Sequence, residues 1–501
     1  MRAKQLKDTK NGEFKIIPGE DELMREEEKD FEKGNRYLQY LASISVSLLS
    51  MTCGTIYTWT SPALPHLRSN NSEIILTETE LVWIATLPDI GAFFGNVAMI
   101  FALQHFGRKY WILFLGAPHI FMWLVIIFAT NFYMLSIPRF LSGIIGDLGF
   151  MLLPLYIGEI ADKDIRGILL LLIKIFSNIG HMYVKTIGAF FSFRVLNIMM
   201  LFVPCLFFAT FLFMPESPYY LLLMNRNEKA LKTLMKLKGV RNEGKMVHFE
   251  LERMQNAVDD SRQNKKWMFG ELFFIKGNRR SLIIVLVAWL TKFLCGATAI
   301  NSFTQEILEA TEIEVSPKIC AMLLAVIEVL LTLSATSIIE RAGRRWTFLL
   351  SGIFCSFGLL IVGVFFYLKL GTELDVKPFS WLPLFGLFVY QISFSLGIAY
   401  IPIIMIGEMF SIDVKMPAMF CLNVSMSLLL IGIKVAFQKL NSVIGIYTTF
   451  WIFAVCCTVG SIVFFIITPE TKGKTLEEIQ DRLHRKKSYV SEEIIIPSEK
   501  Y

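Results

Sequence analysis

Lys174, Asn178, His181 and Lys185 recur at i, i+4, i+7 and i+11 within an otherwise apolar run, so on a helix they form one continuous polar stripe. Lysine donates hydrogen bonds and carries charge, asparagine both donates and accepts, and histidine changes charge near neutral pH. Such a stripe can hold a polar or charged solute away from bulk water, although a lone His181 serves equally well as a cross-helix hydrogen-bond partner. Other apolar runs carry similar faces: Lys292 aligns with Cys295, Ala299 and Ser302, Glu328 with Thr332 and Ala335, and Asn423 with Ser427 and Lys434. Asp89 and Asp147 lie inside further apolar runs and read as structural partners between helices. Four polar faces on four helices converge most simply on a shared aqueous cavity.

The elements that must position these residues are membrane spans. Runs long enough to cross a bilayer occur at 38–60, 81–104, 110–130, 133–157, 168–191, 196–214, 281–303, 317–339, 346–368, 382–407, 418–437 and 446–467. With 54% hydrophobic and 18% charged residues, one soluble domain is excluded. The expected fold is an all-α membrane protein with twelve transmembrane helices in two six-helix halves. Its parts are a tail at 1–37, halves at 38–214 and 281–468, a linker with amphipathic helices at 215–280 and a tail at 469–501.

Net charge is only +6, but Lys and Arg gather in 1–37, 215–280 and 472–487, which the positive-inside rule assigns to the cytosol together with both termini. The 61–80 loop then faces outward, where Asn70 opens an Asn-Asn-Ser glycosylation sequon. The first 36 residues are polar, so no cleavable signal peptide is expected. The eight cysteines show neither metal spacing nor a disulfide framework. No nucleotide-binding loop or nucleophile–base set is visible, so the expectation is a non-enzyme without cofactor, metal, nucleotide or nucleic acid. Its partners are then a small polar solute and the lipid bilayer.

The two halves repeat their signals in the same order. Gly107-Arg108-Lys109 matches Gly343-Arg344-Arg345, Glu159 with Arg166 matches Glu408 with Lys415, and "PESP" with Glu216 matches "PETK" with Glu470. Glu340 precedes the second glycine-arginine motif. Basic clusters anchor topology, but carboxylates paired with them twice over can also form ion pairs that make and break as a gate requires. Parallel halves around a mid-membrane site are a standard plan of secondary transporters.

These motifs, with "PETKGKTLEEI" at 469–479, "ERAGRR" at 340–345, "RFLSG" at 139–143, "PLYIGEIADKDIRG" at 154–167 and "WTSPALP" at 59–65, resemble the sugar porters of the major facilitator superfamily. The resemblance covers residues 38–480 and is strongest to insect facilitated trehalose transporters and the related facilitative glucose transporters. It implies a plasma-membrane carrier that binds a sugar, of the trehalose or hexose class, in a central cavity and alternates between two open states.

The departures fall where the resemblance implies sugar contact. A Gln-Gln pair and a later Asn in span 7 are here Lys292, Phe293 and Thr298. A Gln in span 5 is Lys174, an Asn in span 8 is Glu328, the Trp of span 10 is Ile403, and an Asn of span 11 becomes Ser427. Asn178, His181 and Thr332 complete the cavity set. At the gate, Gln104 and His105 replace Asp-Arg, Lys415 replaces Arg, and Tyr219 replaces the Arg of "PESPR". Thr60 stands where proton symporters of the family carry Asp, which favours facilitated diffusion.

Sugar sites use neutral amides because these match hydroxyls as donors and acceptors, whereas lysine only donates and an ionised glutamate only accepts. Three arrangements follow. Lys292 and Glu328 pair and lock the second half, the leading expectation; surplus lysines bind an anionic or phosphorylated solute; or lysine donors and the Glu328 acceptor hold a polyol or sugar. Outside transport, a chain that lost its binding amides could serve as a sensor.

Overall fold

The computed structural model describes residues 6–8, 14–16, 35–69, 72–102, 107–240, 243–263, 269–372, 375–410, 412–472, 474 and 478. Asn70, Gln104 and His105 lie outside the described residues, as does the side chain of Glu340. In the tail, Leu6–Asp8 and Phe14–Ile16 pair as two three-residue antiparallel strands outside the membrane spans.

Among the described residues, twelve helical stretches are long and apolar enough to cross a membrane: Tyr37–Arg68, Glu78–Ala98, Arg108–Ile127, Phe132–Ile160, Lys163–Phe190, Phe193–Phe211, Lys276–Glu309, Pro317–Ala335, Arg344–Gly371, Lys377–Met409, Pro417–Asn441 and Ile446–Ile467. They are called spans 1 to 12 below. The chain is a multi-pass membrane protein.

Two spans are broken, which apolar periodicity did not reveal. Span 1 continues through Trp59, whose backbone stays α-helical between Tyr37–Thr58 and Thr60–Arg68. Span 10 divides between Leu382–Leu396 and Ile401–Met409. Span 7 divides at Cys295 and Gly296 into Lys276–Leu294 and Ala297–Glu309. Gly296 adopts φ +81°, where any side chain is strained, and a Cβ there would sit 2.2 Å from the Phe453 ring. The expected continuous helix through Lys292 is therefore two helices, and Lys292 belongs to the last turn of the first.

The helices group into two compact units. One holds Met1–Lys266 with Thr298–Thr332 and Ser427–Lys439; the other holds Trp267–Ala297, Leu333–Met426 and Leu440–Tyr501. In the first, Leu49, Leu152, Leu153, Tyr156, Leu169 and Phe207 form a buried core. Spans 1 and 5 meet at glycines: a Cβ on Gly54 would lie 2.2 Å from Ser177 O, and one on Gly180 would lie 2.4 Å from Met51 O. Small residues of this kind let membrane helices approach backbone to backbone.

The linker forms helices Pro218–Leu223, Asn227–Lys238 and Lys245–Gln263, joined by a core of Leu221, Leu222, Ala230, Leu234, Val247, Met254 and Val258. The amphipathic character expected of the 215–280 linker shows in Asn227–Lys238, whose Ala230 and Leu234 face that core, and Gly239 ends the helix in the left-handed conformation.

In the second unit, spans 9 and 10 approach at Gly358 and Gly386, each of whose added Cβ would fall within 2.7 Å of the other's carbonyl oxygen. Ser281 of span 7 donates to Met409 O at 3.3 Å and Ser351 of span 9 to Ser393 O at 2.6 Å, so hydroxyls tie both spans to span 10 through backbone acceptors.

Candidate functional site

The repeated motifs build the same latch twice, once inside each unit. In the first, Arg108 Nε lies 3.2 Å from Glu159 Oε1, joining the start of span 3 to the end of span 4. Glu216 Oε1 accepts from the backbone N–H of Lys109 at 3.0 Å and of Ser217 at 2.9 Å. In the second, Arg344 reaches Glu408 Oε1 through Nη2 at 2.7 Å and Nε at 3.1 Å. Glu470 accepts from the N–H groups of Arg344 at 3.1 Å and Arg345 at 3.3 Å. The first N–H groups of a helix have no partner within it, and its N-terminus favours negative charge, so Glu216 and Glu470 cap spans 3 and 9. The glycines are part of the fit: a Cβ on Gly107 would be 2.5 Å from Glu216 Oε2, and one on Gly343 2.9 Å from Glu470 Oε2.

The two caps differ electrostatically. Burial pushes the Glu216 carboxyl above its ordinary value, only partly offset by the N–H groups of Lys109 and Ser217. At Glu470 burial acts in the same direction, but the N–H groups of Arg344, Lys472, Arg345 and Thr471 outweigh it and hold the carboxyl low. A carboxylate lowered by folding stabilises fully above its unfolded value and loses that contribution as pH falls through the folded one. Thermal stability of the detergent-solubilised protein should therefore decline below about pH 4.3, the ordinary glutamate value. Glu470→Gln should flatten that limb; an unaltered acid limb in the variant would count against the cap.

The remaining gate residues are placed differently from the expectation. Arg166 donates to Ala161 O at 3.0 Å, capping the C-terminal end of the preceding helix, Phe132–Ile160. Lys415 is partly buried near Gly407. Arg345 donates to Phe465 O at 2.7 Å and stacks 4.4 Å from the Phe465 ring. Thr471, which the sequence reading missed, donates to Glu408 Oε2 at 2.6 Å.

Within the first unit three members of the span 5 stripe, Asn178, His181 and Lys185, meet polar groups of spans 7 and 8. Asn178 Nδ2 donates to Thr332 Oγ1 at 2.7 Å, and Lys185 Nζ donates to Asn301 Oδ1 at 3.3 Å and Thr304 Oγ1 at 3.4 Å. His181 Nδ1 lies 3.5 Å from Glu328 Oε1, an ion-pair contact rather than an aligned hydrogen bond. Lys292 sits 5.3 Å above the Trp289 ring and 5.8 Å above Phe293, in a last helical turn whose dipole favours a cation. The hidden break in span 7 puts it at that helix end, because the first helix stops at Leu294.

Span 2 makes a parallel set of contacts with span 11. Lys434 Nζ lies 2.7 Å from Asp89 Oδ2 and directs its aligned hydrogen bond to Ala85 O at 3.2 Å. Both side chains are almost sealed, at 3% and 2% exposure. Asn96 Nδ2 donates to Asp147 Oδ2 at 2.7 Å and to Ser427 Oγ at 2.9 Å, and Tyr57 donates to Asp147 Oδ1 at 3.3 Å. Arg68 bridges Glu78 and Glu306, each at 2.9 Å. Asp89, Asp147 and Lys434 were visible as intramembrane charges, but their pairing depends on which distant spans touch. Of the other cavity candidates, Thr298 Oγ1 is buried without a hydrogen bond in the protein, Phe293 packs 5.7 Å from Trp289, and Ile403 is 49% exposed.

Twelve apolar helices with a twice-built latch and buried polar bridges define a multi-pass membrane protein of the major facilitator fold. The solved xylose transporter XylE from E. coli, in its inward open conformation, has this fold, with a TM-score of 0.72 at 19% identity over 88% of this chain and 98% of that one. The family model described as "Sugar (and other) transporter" matches residues 41–483, and the chain belongs to that family. Among curated relatives it is 31% identical over 451 residues to the facilitated trehalose transporter Tret1 of Drosophila mojavensis, covering 89% of this chain and 51% of that protein. It is likewise 31% identical over 458 residues to Tret1 of Polypedilum vanderplanki, covering 89% and 88%. The chain therefore spans about half the length of the Drosophila relative and nearly all of the Polypedilum one.

Proposed function

We propose that the protein is a facilitative carrier that moves a sugar across the plasma membrane by alternating access, with both termini cytosolic and the loop bearing Asn70 outside and glycosylated. The observation that carries this reading is the set of polar contacts by which spans 1, 2 and 5 meet the 298–332 and 427–439 segments of spans 7, 8 and 11. Contacts of this kind can make and break between open states, given the breaks in spans 7 and 10.

The similarity to proteins named facilitated trehalose transporters supports a sugar of the trehalose or hexose class. The substrate residues in this reading are Lys174, Asn178, His181, Lys292, Phe293, Thr298, Glu328, Thr332, Ile403 and Ser427, and the twin latches serve as the cytosolic gate. Uptake of labelled trehalose and glucose into proteoliposomes tests it. Saturable uptake of either without an imposed proton gradient is expected; uptake that appears only with such a gradient would contradict the facilitative assignment.

A further inference from the structure

Building on the carrier reading, we infer that the stripe on span 5 is a subsite for an anionic sugar, one bearing a carboxylate or phosphate beside its hydroxyls. The groups come together inside a single unit: Lys174, Asn178, His181 and Lys185 on span 5, Asn301 and Thr304 on span 7, and Glu328 and Thr332 on span 8. Their charges do not cancel. Lys174 and Lys185 both lie within electrostatic reach of Glu328, the one carboxylate among them, and His181 adds a further positive charge when protonated. Lys185 is 4% exposed and is held by two neutral oxygens at 3.3 and 3.4 Å, long for a bond from an ammonium group.

Hydrogen-bonding capacity is also left over. Asn178 is 1% exposed, and its Oδ1 makes no hydrogen bond in the protein; His181 Nδ1 is buried and likewise lacks an aligned partner. Buried polar groups are ordinarily satisfied, so such atoms mark a place where something else can bond. A surplus of ammonium groups asks for an anion, and the free amide oxygen and Glu328 ask for hydroxyl donors. A neutral sugar answers only the second need and leaves the cationic surplus uncompensated in a low-dielectric place. A sugar acid answers both, with its acidic group at one of the two lysines and its hydroxyls towards Asn178 and Glu328.

The test is uptake into proteoliposomes of four labelled solutes: glucose, trehalose, a hexuronate and a hexose phosphate. The expected result is preference for one or both anionic solutes, with net negative charge entering alongside them; which of the two prevails identifies carboxylate or phosphate as the source of the charge. Lys174→Gln and Lys185→Gln should each lower anionic uptake by about ten-fold or more, the weight of one charge-assisted hydrogen bond. The ratio of anionic to neutral uptake should fall in the same variants. Neutral uptake alone in the wild type, unaltered in preference by either substitution, would overturn the subsite and leave the carrier reading standing. No uptake of any of the four would contradict both. Because Lys185→Gln could fold poorly, Lys174→Gln, whose position is less buried, gives the independent arm.

Discussion

Asp89→Asn is expected to destabilise the protein by about 3–5 kcal/mol, the cost of leaving a buried ammonium group without its counter-ion. The pair is the most enclosed one described, with Lys434 and Asp89 at 3% and 2% exposure and 2.7 Å apart between spans 11 and 2. Lys434→Gln should cost a similar amount because it strands the carboxylate instead. The double substitution removes both charges and should be milder than either single one, since much of each penalty belongs to the charge left behind. Melting temperatures of the four proteins in detergent check this. Costs that simply add in the double variant would mean that the two charges act separately.

Glu408→Gln is expected to leave folding and membrane insertion intact but to reduce uptake by about ten-fold or more, since losing charge-assisted bonds costs about 1.5–3 kcal/mol. Glu408 holds three hydrogen bonds, two from Arg344 and one from Thr471, and so ties span 10 to span 9 and to the segment after span 12. An amide keeps the shape yet weakens the guanidinium contacts, which biases the equilibrium between open states. Labelling of a cysteine introduced on the terminus-bearing side should change in rate. Unchanged labelling together with normal uptake would remove the latch from the gating mechanism.

The fold was legible because apolar runs of span length and the Gly-Arg, Glu and "PES/PET" repeats are local signals, and each was found where the spacing put it. The partners within the latches followed in part. Arg108 with Glu159 and Arg344 with Glu408 come from short motifs in adjacent spans, whereas the capping of span N-termini by Glu216 and Glu470 was missed, although a Pro-Glu pair repeated after spans 6 and 12 could have suggested it. The site was less legible. Lys292 was assigned a mid-helix position because periodicity continues across Cys295-Gly296, and only the positive φ of Gly296 reveals the break. Glu328 pairs with His181 and Asp89 with Lys434 because of which faces of distant spans meet, a tertiary fact that no local spacing encodes.

Counterflow in proteoliposomes tests alternating access most directly. Vesicles are loaded with excess unlabelled sugar, and entry of a trace of the labelled sugar is followed at equal ionic composition on both sides. A carrier that returns across the membrane faster when loaded takes up label transiently above its equilibrium level, and the overshoot should vanish when the internal sugar is removed. Label that rises only to equilibrium, at a rate indifferent to the internal sugar, would contradict alternating access and point to a passive pore or a binding protein that does not cycle.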